Sequence, residues 1–250
     1  MQPAPIFTQL PDGRWLPEAV ARGPFDGMQG GLVAALMSAA VEDSVEGFLA
    51  SATSHFLRPV PLEPLQVRVE PIRLGRRVSV LDVRLATDQG VVALQRATVI
   101  RAGAGENLPT PERRVTDPEA LAPAALTSQR EGPWLMDVMD MRRGPDGVAW
   151  FRQQRPTVER PSPMCAVLPA ADFAHGFAPP MGCDERPAVA IPNPDVTVHL
   201  FRAPVGPWVG VEAASAWSSA AIGAGWAALH DIEGLIGRVA MSIAIMEAVR

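Results

Sequence analysis

The chain has 250 residues, of which 48% are hydrophobic and 20% charged, and its formal net charge is −5 at pH 7. This length and composition allow a sizeable core in one large or two smaller domains, and the acidic balance argues against a nucleic-acid or anionic-membrane partner. Two cysteines are too few for a disulfide framework, and the N-terminal stretch lacks the basic start and apolar core of a signal peptide, so a cytoplasmic protein is expected.

A short hairpin and a helix are predicted first. Residues 5–20 indicate the hairpin, with Pro11-Asp12-Gly13 as its turn. From Gln29 to about Val45 the sequence predicts a helix in which alanine and leucine dominate. Because apolar residues surround this helix almost completely, it must be buried on nearly every side. Another element must therefore wrap around it.

Four strands joined by short turns follow the helix. They fall within residues 51–59, 65–75, 77–87 and 91–103, and the second and third alternate clearly between apolar and polar side chains. One buried helix followed by an antiparallel meander predicts an α+β unit.

The periodic pattern then stops and later resumes. Pro, Gly and charged residues replace it over residues 105–131, which are therefore interpreted as a linker. This divides the chain into an N-terminal unit, 1–104, and a C-terminal unit, 132–250.

The second unit repeats the order of hairpin, helix and strands. Residues 161–177 predict its buried helix, with Ser162 as the cap and Pro169 as a kink or break. Residues 209–229 are nearly uncharged, as in a membrane span. However, Glu212, dense Gly and Ser and few bulky aliphatic residues favour strand structure with a bend. No membrane partner is expected.

A repeated motif links the two units. HFLRPVP begins at residue 55 and HLFRAPV at residue 199. One offset of 144 residues matches three pairs: Thr53 with Thr197, His55 with His199, and Arg58 with Arg202. A constant offset indicates a duplicated unit. We interpret the histidines as structural and the arginines as solvated or paired with carboxylates at strand ends.

These motifs resemble one family. FDGMQGGLVAALMSAA, HFLRPVP and LGRRVSVLDVRL resemble the first half of the acyl-CoA thioesterase II enzymes, while DVTVHLFRAPVGPWVGVEAAS and LHDIEGLIGR resemble the second half. The resemblance implies a double hot dog, an α+β fold of two tandem units. In each unit a long central helix is wrapped by an antiparallel sheet. It also implies an acyl-CoA substrate.

The start of the first helix is a candidate substrate-binding site. Thioester hydrolysis needs donors for the carbonyl oxygen, and a helix N-terminus supplies free N–H groups and a favourable dipole. Gln29, Gly30 and Gly31 lie there, and the glycines would let a thioester approach the backbone closely. Alternatively, the glycines only permit close packing of the helix.

The resemblance also implies a catalytic acid at Asp195, which works in the family with a Thr or Ser and a Gln. On the residues alone, Asp195 is equally a turn residue after Asn193-Pro194. The expected hydroxyl position falls on Ala216, with Ser215 and Trp217 beside it. The expected Gln position falls on Met241 or Ser242. The candidate site residues are, as catalytic groups, Asp195, Ser215 and Ser242, and, as substrate contacts, Trp217 and Met241.

Other residues remain as alternatives. Asp172, near His175 at the end of the second helix, is a reserve acid. The arginines of RLGRR, Arg73, Arg76 and Arg77, either meet the phosphates of CoA or form a solvated turn. No metal-ligand cluster or phosphate-binding glycine loop is found, and no cofactor is expected.

We therefore expect an enzyme, an acyl-CoA thioesterase that hydrolyses a fatty or aromatic acyl-CoA. The first alternative is a non-catalytic acyl or acyl-CoA binding protein on the same scaffold, because the inherited catalytic set is incomplete. A hydratase-type enzyme is the second alternative. Since edge strands in this fold usually pair, a homodimer is expected.

Overall fold

The computed structural model describes residues 3–103, 116–126, 131–177 and 189–247. Cys183 and two parts of the predicted linker, 105–115 and 127–130, lie outside the described residues. In the described parts of the chain, no helix has the length and hydropathy needed to cross a lipid bilayer.

The first half follows the predicted order of hairpin, helix and four strands. Its elements are β1 (Phe7–Gln9), β2 (Trp15–Pro17), α1 (Gly30–Glu42), β3 (Phe48–Phe56), β4 (Gln66–Leu74), β5 (Val78–Thr87) and β6 (Gly90–Ile100). A short 3-10 helix, Ala19–Ala21, precedes α1.

The second half repeats this order with more interruptions. After a 3-10 helix at Pro118–Ala120 and another at Leu135–Val138, its elements are β7 (Pro123–Ala124), β8 (Met139–Arg143), β9 (Ala149–Gln153), α2 (Pro163–Ala171), α3 (Ala174–Phe177), β10 (Val189–Ala190), β11 (Asp195–Leu200), β12 (Trp208–Trp217), β13 (Ile222–Asp231), β14 (Gly234–Ala244) and β15 (Met246–Glu247). The segment 209–229 is thus a hairpin of two strands.

One antiparallel sheet of eleven strands carries both halves. Its order is β4-β5-β6-β3-β11-β14-β13-β12-β9-β8-β7. Along β14 the buried residues Val239, Met241 and Ile243 alternate with the exposed residues Ala240 and Ser242. We call the face that contains Met241 the helix face, because it packs in one core with α1 and α2. The face that contains Ser242 is the outer face.

The strands that lead into the two repeated motifs, β3 and β11, pair with each other near the centre of this sheet. In the β3–β11 ladder Thr53 lies opposite Thr197, His55 opposite Asp195, and Ser51 opposite His199. The hydroxyl of Thr197 donates to that of Thr53 at 3.2 Å. Since the same offset relates the motifs, the local twofold axis passes between these two threonines. The repeat thus joins the halves edge to edge.

The repeated arginines bind at strand ends, as expected. Arg202 makes a bidentate ion pair with Asp231, whose carboxylate also accepts hydrogen bonds from the backbone N–H groups of Val205, Glu233 and Gly234. Arg58 instead donates to the Val91 carbonyl at 3.0 Å. The prediction of a carboxylate partner is therefore confirmed for Arg202.

The α+β class and the large antiparallel sheet agree with the sequence, but the prediction of a long helix in each half is wrong for the second half. There α2 has nine residues and the separate α3 has four. The cause lies after Pro169, where the Phe173 N–H donates to Ala170 O and the Pro169 carbonyl accepts from the Gln29 side chain at 3.0 Å. The regular hydrogen-bond ladder therefore ends at this point.

Helices α1 and α2 run antiparallel and pack closely. A Cβ placed on Gly31 would lie 2.3 Å from the Leu168 carbonyl oxygen and 2.8 Å from Asp172 Cβ. Further along, the Cys165 thiol contacts the Ala35 carbonyl at 3.3 Å. Glycine at position 31 therefore lets one backbone approach the other, which gives it a packing role.

We expect Gly31→Ala to destabilise the protein by about 2 kcal/mol or more, since the new methyl group meets a backbone atom that cannot move away cheaply. Gly176→Ala is the matched control, because a Cβ there meets nothing within 4 Å. Thermal and urea unfolding of the two variants measures the difference. Equal stability of Gly31→Ala and wild type would contradict the packing role.

Candidate functional site

The first turn of α1 is capped by Gln29. This side chain is 2% exposed; its Oε1 accepts from the Leu32 N–H at 2.7 Å and its Nε2 donates to the Pro169 carbonyl. One amide thus satisfies an N-terminal donor of α1 and a free carbonyl of α2. Gln29 therefore fixes the position of the first turn of α1 against the end of α2.

Two further N–H groups of this turn are also engaged. Val33 donates to the Gln29 carbonyl, and the Gly31 N–H lies near the Asp172 carboxyl and lowers its pKa. Among the described residues, Gly30 is left as the first-turn donor for which no acceptor is found. An open N–H at a helix N-terminus is a ready donor for an oxyanion, and the helix dipole adds to its effect.

Asp172 lies directly against this turn. A Cβ placed on Gly30 would be 3.2 Å from its Oδ1, and the residue is only 4% exposed. The same Oδ1 accepts a hydrogen bond from Asn193 Nδ2 at 2.8 Å. Burial raises the pKa of Asp172, while His175, Asn193 and the Gly31 N–H oppose the rise. A carboxyl with a raised pKa is better matched to proton transfer near neutral pH.

His175 completes this buried polar cluster. Its Nδ1 lies 2.7 Å from the Asp172 backbone carbonyl, so the ring is held through the main chain. Burial lowers the pKa of His175, since the cationic form loses its hydration. The backbone Cα of His175 lies close to the sheet, 3.4 Å from a Cβ placed on Gly225.

Asp195 occupies a different environment. Its Oδ1 accepts from the Ser242 N–H at 2.6 Å and its Oδ2 lies 3.4 Å from the Ser242 hydroxyl. The register places Asp195 opposite His55, so its side chain lies on the same face of the sheet as those of Thr53 and Thr197. This is the outer face, because Thr197 lies opposite Ala240, which shares that face with Ser242. The structure therefore brings Asp195 and Ser242 together on the outer face.

The remaining candidates lie on the helix face. Ser215, Gly225 and Met241 form one row across three strands, and residues paired in a ladder share a face. Trp217 is two residues from Ser215 and donates its indole N–H to that hydroxyl at 2.8 Å. The sheet thus separates Ser215, Trp217 and Met241 from Asp195 and Ser242.

Asn193 connects Asp172, at the end of α2, with Asp195, on the outer face of the sheet. Besides binding Asp172, its amide donates to the Asp195 backbone carbonyl at 3.2 Å. In the sequence this residue is recognisable only as part of the turn Asn193-Pro194-Asp195. Its role depends on a contact with a residue 21 positions away, which no local pattern indicates.

The opposite end of the helix pair carries another acid, which the sequence analysis missed. Glu42 is the last residue of α1 and contacts Ser162, the cap of α2. Its Oε2 is buried and accepts no hydrogen bond from the described residues. Burial raises the pKa of Glu42 to about 7. A charged residue closing an otherwise apolar helix was the available signal.

The described residues give little evidence for a cysteine nucleophile or a metal site. Cys165 is 1% exposed and burial raises its pKa to about 11, so its thiol is poorly suited to act as a nucleophile. Among the described residues, no group of three or more His, Cys, Asp or Glu side chains is arranged to hold a metal ion.

Family comparisons identify the scaffold. The sequence model of the acyl-CoA thioesterase N-terminal domain matches residues 21–102, and that of the C-terminal domain matches residues 106–244. The chain belongs to the acyl-CoA thioesterase family. The resemblance read from the sequence motifs is thereby confirmed, and with it the assignment to a family of thioesterase enzymes. A search among curated proteins finds no match.

Solved structures show the hot-dog fold. The acyl-CoA thioesterase II TesB2 of Mycobacterium marinum is 19% identical, with a TM-score of 0.73 over 96% of each chain. A hot-dog protein from Alicyclobacillus acidocaldarius is 18% identical, with a TM-score of 0.71 over 95% of this chain and 93% of that one. The dehydratase domain of PpsC from Mycobacterium tuberculosis, solved with C12:1-CoA, is 17% identical, with a TM-score of 0.53 over 97% and 98%.

Glu42 makes the stability of this family member depend on pH. Its pKa is raised from 4.5 to about 7 in the folded protein, so the unfolded chain ionises first as pH rises. Folding stability therefore falls between about pH 4.5 and pH 7 and stays lower above that range. We expect Glu42→Gln to remove this fall and to raise the unfolding free energy at pH 8 by up to about 3 kcal/mol.

Urea unfolding at pH 4.5 and pH 8 measures this change. Glu46→Gln is the matched control, because that exposed glutamate follows four residues later in the same segment. A Glu42→Gln variant with the same pH dependence as wild type would show that Glu42 ionises normally in the folded state.

Proposed function

We propose that the protein hydrolyses a fatty or aromatic acyl-CoA to the free acid and CoA, with the thioester at the N-terminus of α1. The observation that carries this proposal is the position of the buried Asp172 carboxyl against the first turn of α1, beside the open N–H of Gly30. A proton acceptor and an oxyanion donor are the two groups that thioester hydrolysis requires.

The proposed reaction uses water as the nucleophile. The water oxygen attacks the carbonyl carbon while Asp172 accepts a proton from that water. The Gly30 N–H and the α1 dipole stabilise the negative charge that develops on the carbonyl oxygen. The C–S bond then breaks, the carbonyl re-forms, and the CoA sulfur takes the proton from Asp172. Free acid and CoA thiol are the products.

Asn193 and His175 position the acid in this scheme. The Asn193 amide donates to Asp172 Oδ1, and we assign the attacking water to Oδ2. His175 binds the Asp172 backbone carbonyl and so holds the turn that ends α2. Gln29, Gly30 and Gly31 form the thioester side of the site, while Ser215, Trp217 and Met241 on the helix face lie toward the acyl group.

Asp195 is proposed as a positioning residue. Its carboxylate is occupied by the N–H and hydroxyl of Ser242, and its carbonyl holds the Asn193 amide. Replacing its side chain removes the contacts with Ser242 but keeps the carbonyl that binds Asn193, so its effect on Asp172 is indirect. The expectation of Asp195 as the acid itself remains the alternative within this proposal.

A specific observation also favours the non-catalytic alternative. Met241 is one of the two positions, with Ser242, where the resemblance leads one to expect an amide, and it is 4% exposed on the helix face. A thioether cannot orient water through a strong hydrogen bond. The scaffold would then bind an acyl or acyl-CoA ligand without cleaving it.

The two halves are proposed as tandem hot-dog units, 1–104 and 132–250, joined by residues 105–131. The predicted homodimer also stays a proposal. It is supported by the edge strand β4, where Ile72 and Leu74 are 54% and 65% exposed.

Free-thiol release from short, medium, long and aromatic acyl-CoAs tests the function. We expect turnover by wild type and a loss of about 100-fold or more in kcat for Asp172→Asn, the usual size of a general-base contribution. Asp195→Asn should lose less, because this side chain contacts Ser242 and acts on Asp172 only indirectly. Asp88→Asn, at a carboxylate 91% exposed in a distant turn, is the control.

The outcomes separate the alternatives. Full activity of Asp172→Asn together with an inactive Asp195→Asn would exchange their roles. No release by wild type, with a melting temperature raised by an acyl-CoA, would favour the binding protein and refute hydrolysis.

A further inference from the structure

A cleft lies at the end of the molecule opposite the proposed thioester site. It has a volume of about 480 Å³ and opens between the segment that follows α1 and the ends of β4 and β5. Leu74 and Leu81 contribute apolar surface to its lining, and Arg76 and Arg101 contribute positive charge. The cleft therefore combines apolar surface with concentrated positive charge.

The arginines of this cleft are available to a ligand. Among the described residues, Arg76 has no carboxylate partner, and Arg101 spends only its Nε on the Glu46 backbone carbonyl, at 3.4 Å. Arg77 lies next to them, with its guanidinium against Gly103. Of the residues that line the cleft, Glu46 is the one carboxylate. In a chain of net charge −5, this excess of positive charge is local.

Hydroxyl groups complete the lining. Ser44 and Ser79 line the cleft, but the Ser44 hydroxyl donates to the Val41 carbonyl at 2.8 Å and Ser79 is 4% exposed. The guanidinium groups are therefore the main donors to phosphate oxygens, and a planar guanidinium also stacks on an aromatic base. Apolar surface in the same lining suits the flat face of such a base.

We propose that this cleft binds a phosphorylated adenosine, with the phosphates on Arg76 and Arg101 and the base over Leu74 and Leu81. Two sources share this chemistry: the nucleotide end of CoA and a free adenine nucleotide. The first source rests on the proposed function, whereas the binding itself does not.

The cleft is distant from the thioester site proposed above. It adjoins the C-terminal end of α1, whereas Gly30 and Asp172 lie at the N-terminal end, and a helix of 13 residues is about 20 Å long. The end of α1 nearest the cleft is the one that carries Glu42 and contacts Ser162. Nucleotide binding here is therefore a property of the opposite end of the helix pair.

Titration calorimetry with adenosine 3′,5′-bisphosphate, CoA and ADP tests the binding. We expect Arg76→Ala and the double variant Arg76→Ala/Arg101→Ala to weaken binding by about tenfold or more, as for the loss of a charged hydrogen bond. Arg84→Ala is the matched control. Arg84 is an exposed residue of β5, three positions from Leu81, and therefore lies on the opposite face of that strand.

Kinetics then distinguish the two sources. If the nucleotide belongs to the substrate, Arg76→Ala raises KM for acyl-CoA and leaves KM for an acyl thioester of N-acetylcysteamine unchanged. If it is a free nucleotide, adenosine 3′,5′-bisphosphate binds without competing with acyl-CoA. Either result supports the site, as does binding by a protein without thioesterase activity.

The proposal is overturned if none of the three ligands binds wild type. It is equally overturned if Arg76→Ala, Arg76→Ala/Arg101→Ala and Arg84→Ala bind them as wild type does. Since Arg76 is exposed, its replacement should leave the melting temperature unchanged, so a folding defect is checked in the same samples.

Discussion

The pairing of β3 with β11 is the contact on which the rest of the molecule depends. It turns two sheets into one and places the local twofold axis between Thr53 and Thr197. The same axis makes α1 and α2 antiparallel, so the first turn of each helix meets the last turn of the other. Only for this reason does Asp172 of the second half lie against Gly31 of the first.

The polar groups at these helix ends work against stability. Burial disfavours the charged forms of Asp172 and His175. Burial also disfavours the charged form of Glu42, whose pKa is raised. Tight packing around Gly31 and the two hydrogen bonds of Gln29 hold the ends in place despite this cost. Groups kept in unfavourable environments are typical of sites that carry out chemistry.

The sequence indicated much of the fold because periodicity and duplication are local signals. The sequence predicted the first helix, which is apolar on all sides, the strands of the meander, and the offset that joins Thr53 to Thr197. It did not predict contacts between residues far apart in the chain. The end of α2 depends on Gln29, 140 residues from Pro169. The face of Asp195 depends on register, in which one residue reverses the side chain.

The halves are joined in one chain, and this changes what substitution can do. In a symmetric dimer of single units, any change at one end of the helix pair would appear at the other end as well. Here the ends are encoded separately: Asp172 and Asn193 meet the start of α1, while Glu42 meets the start of α2. Fusion therefore lets the two ends diverge independently, so that one can specialise while the other is free to change.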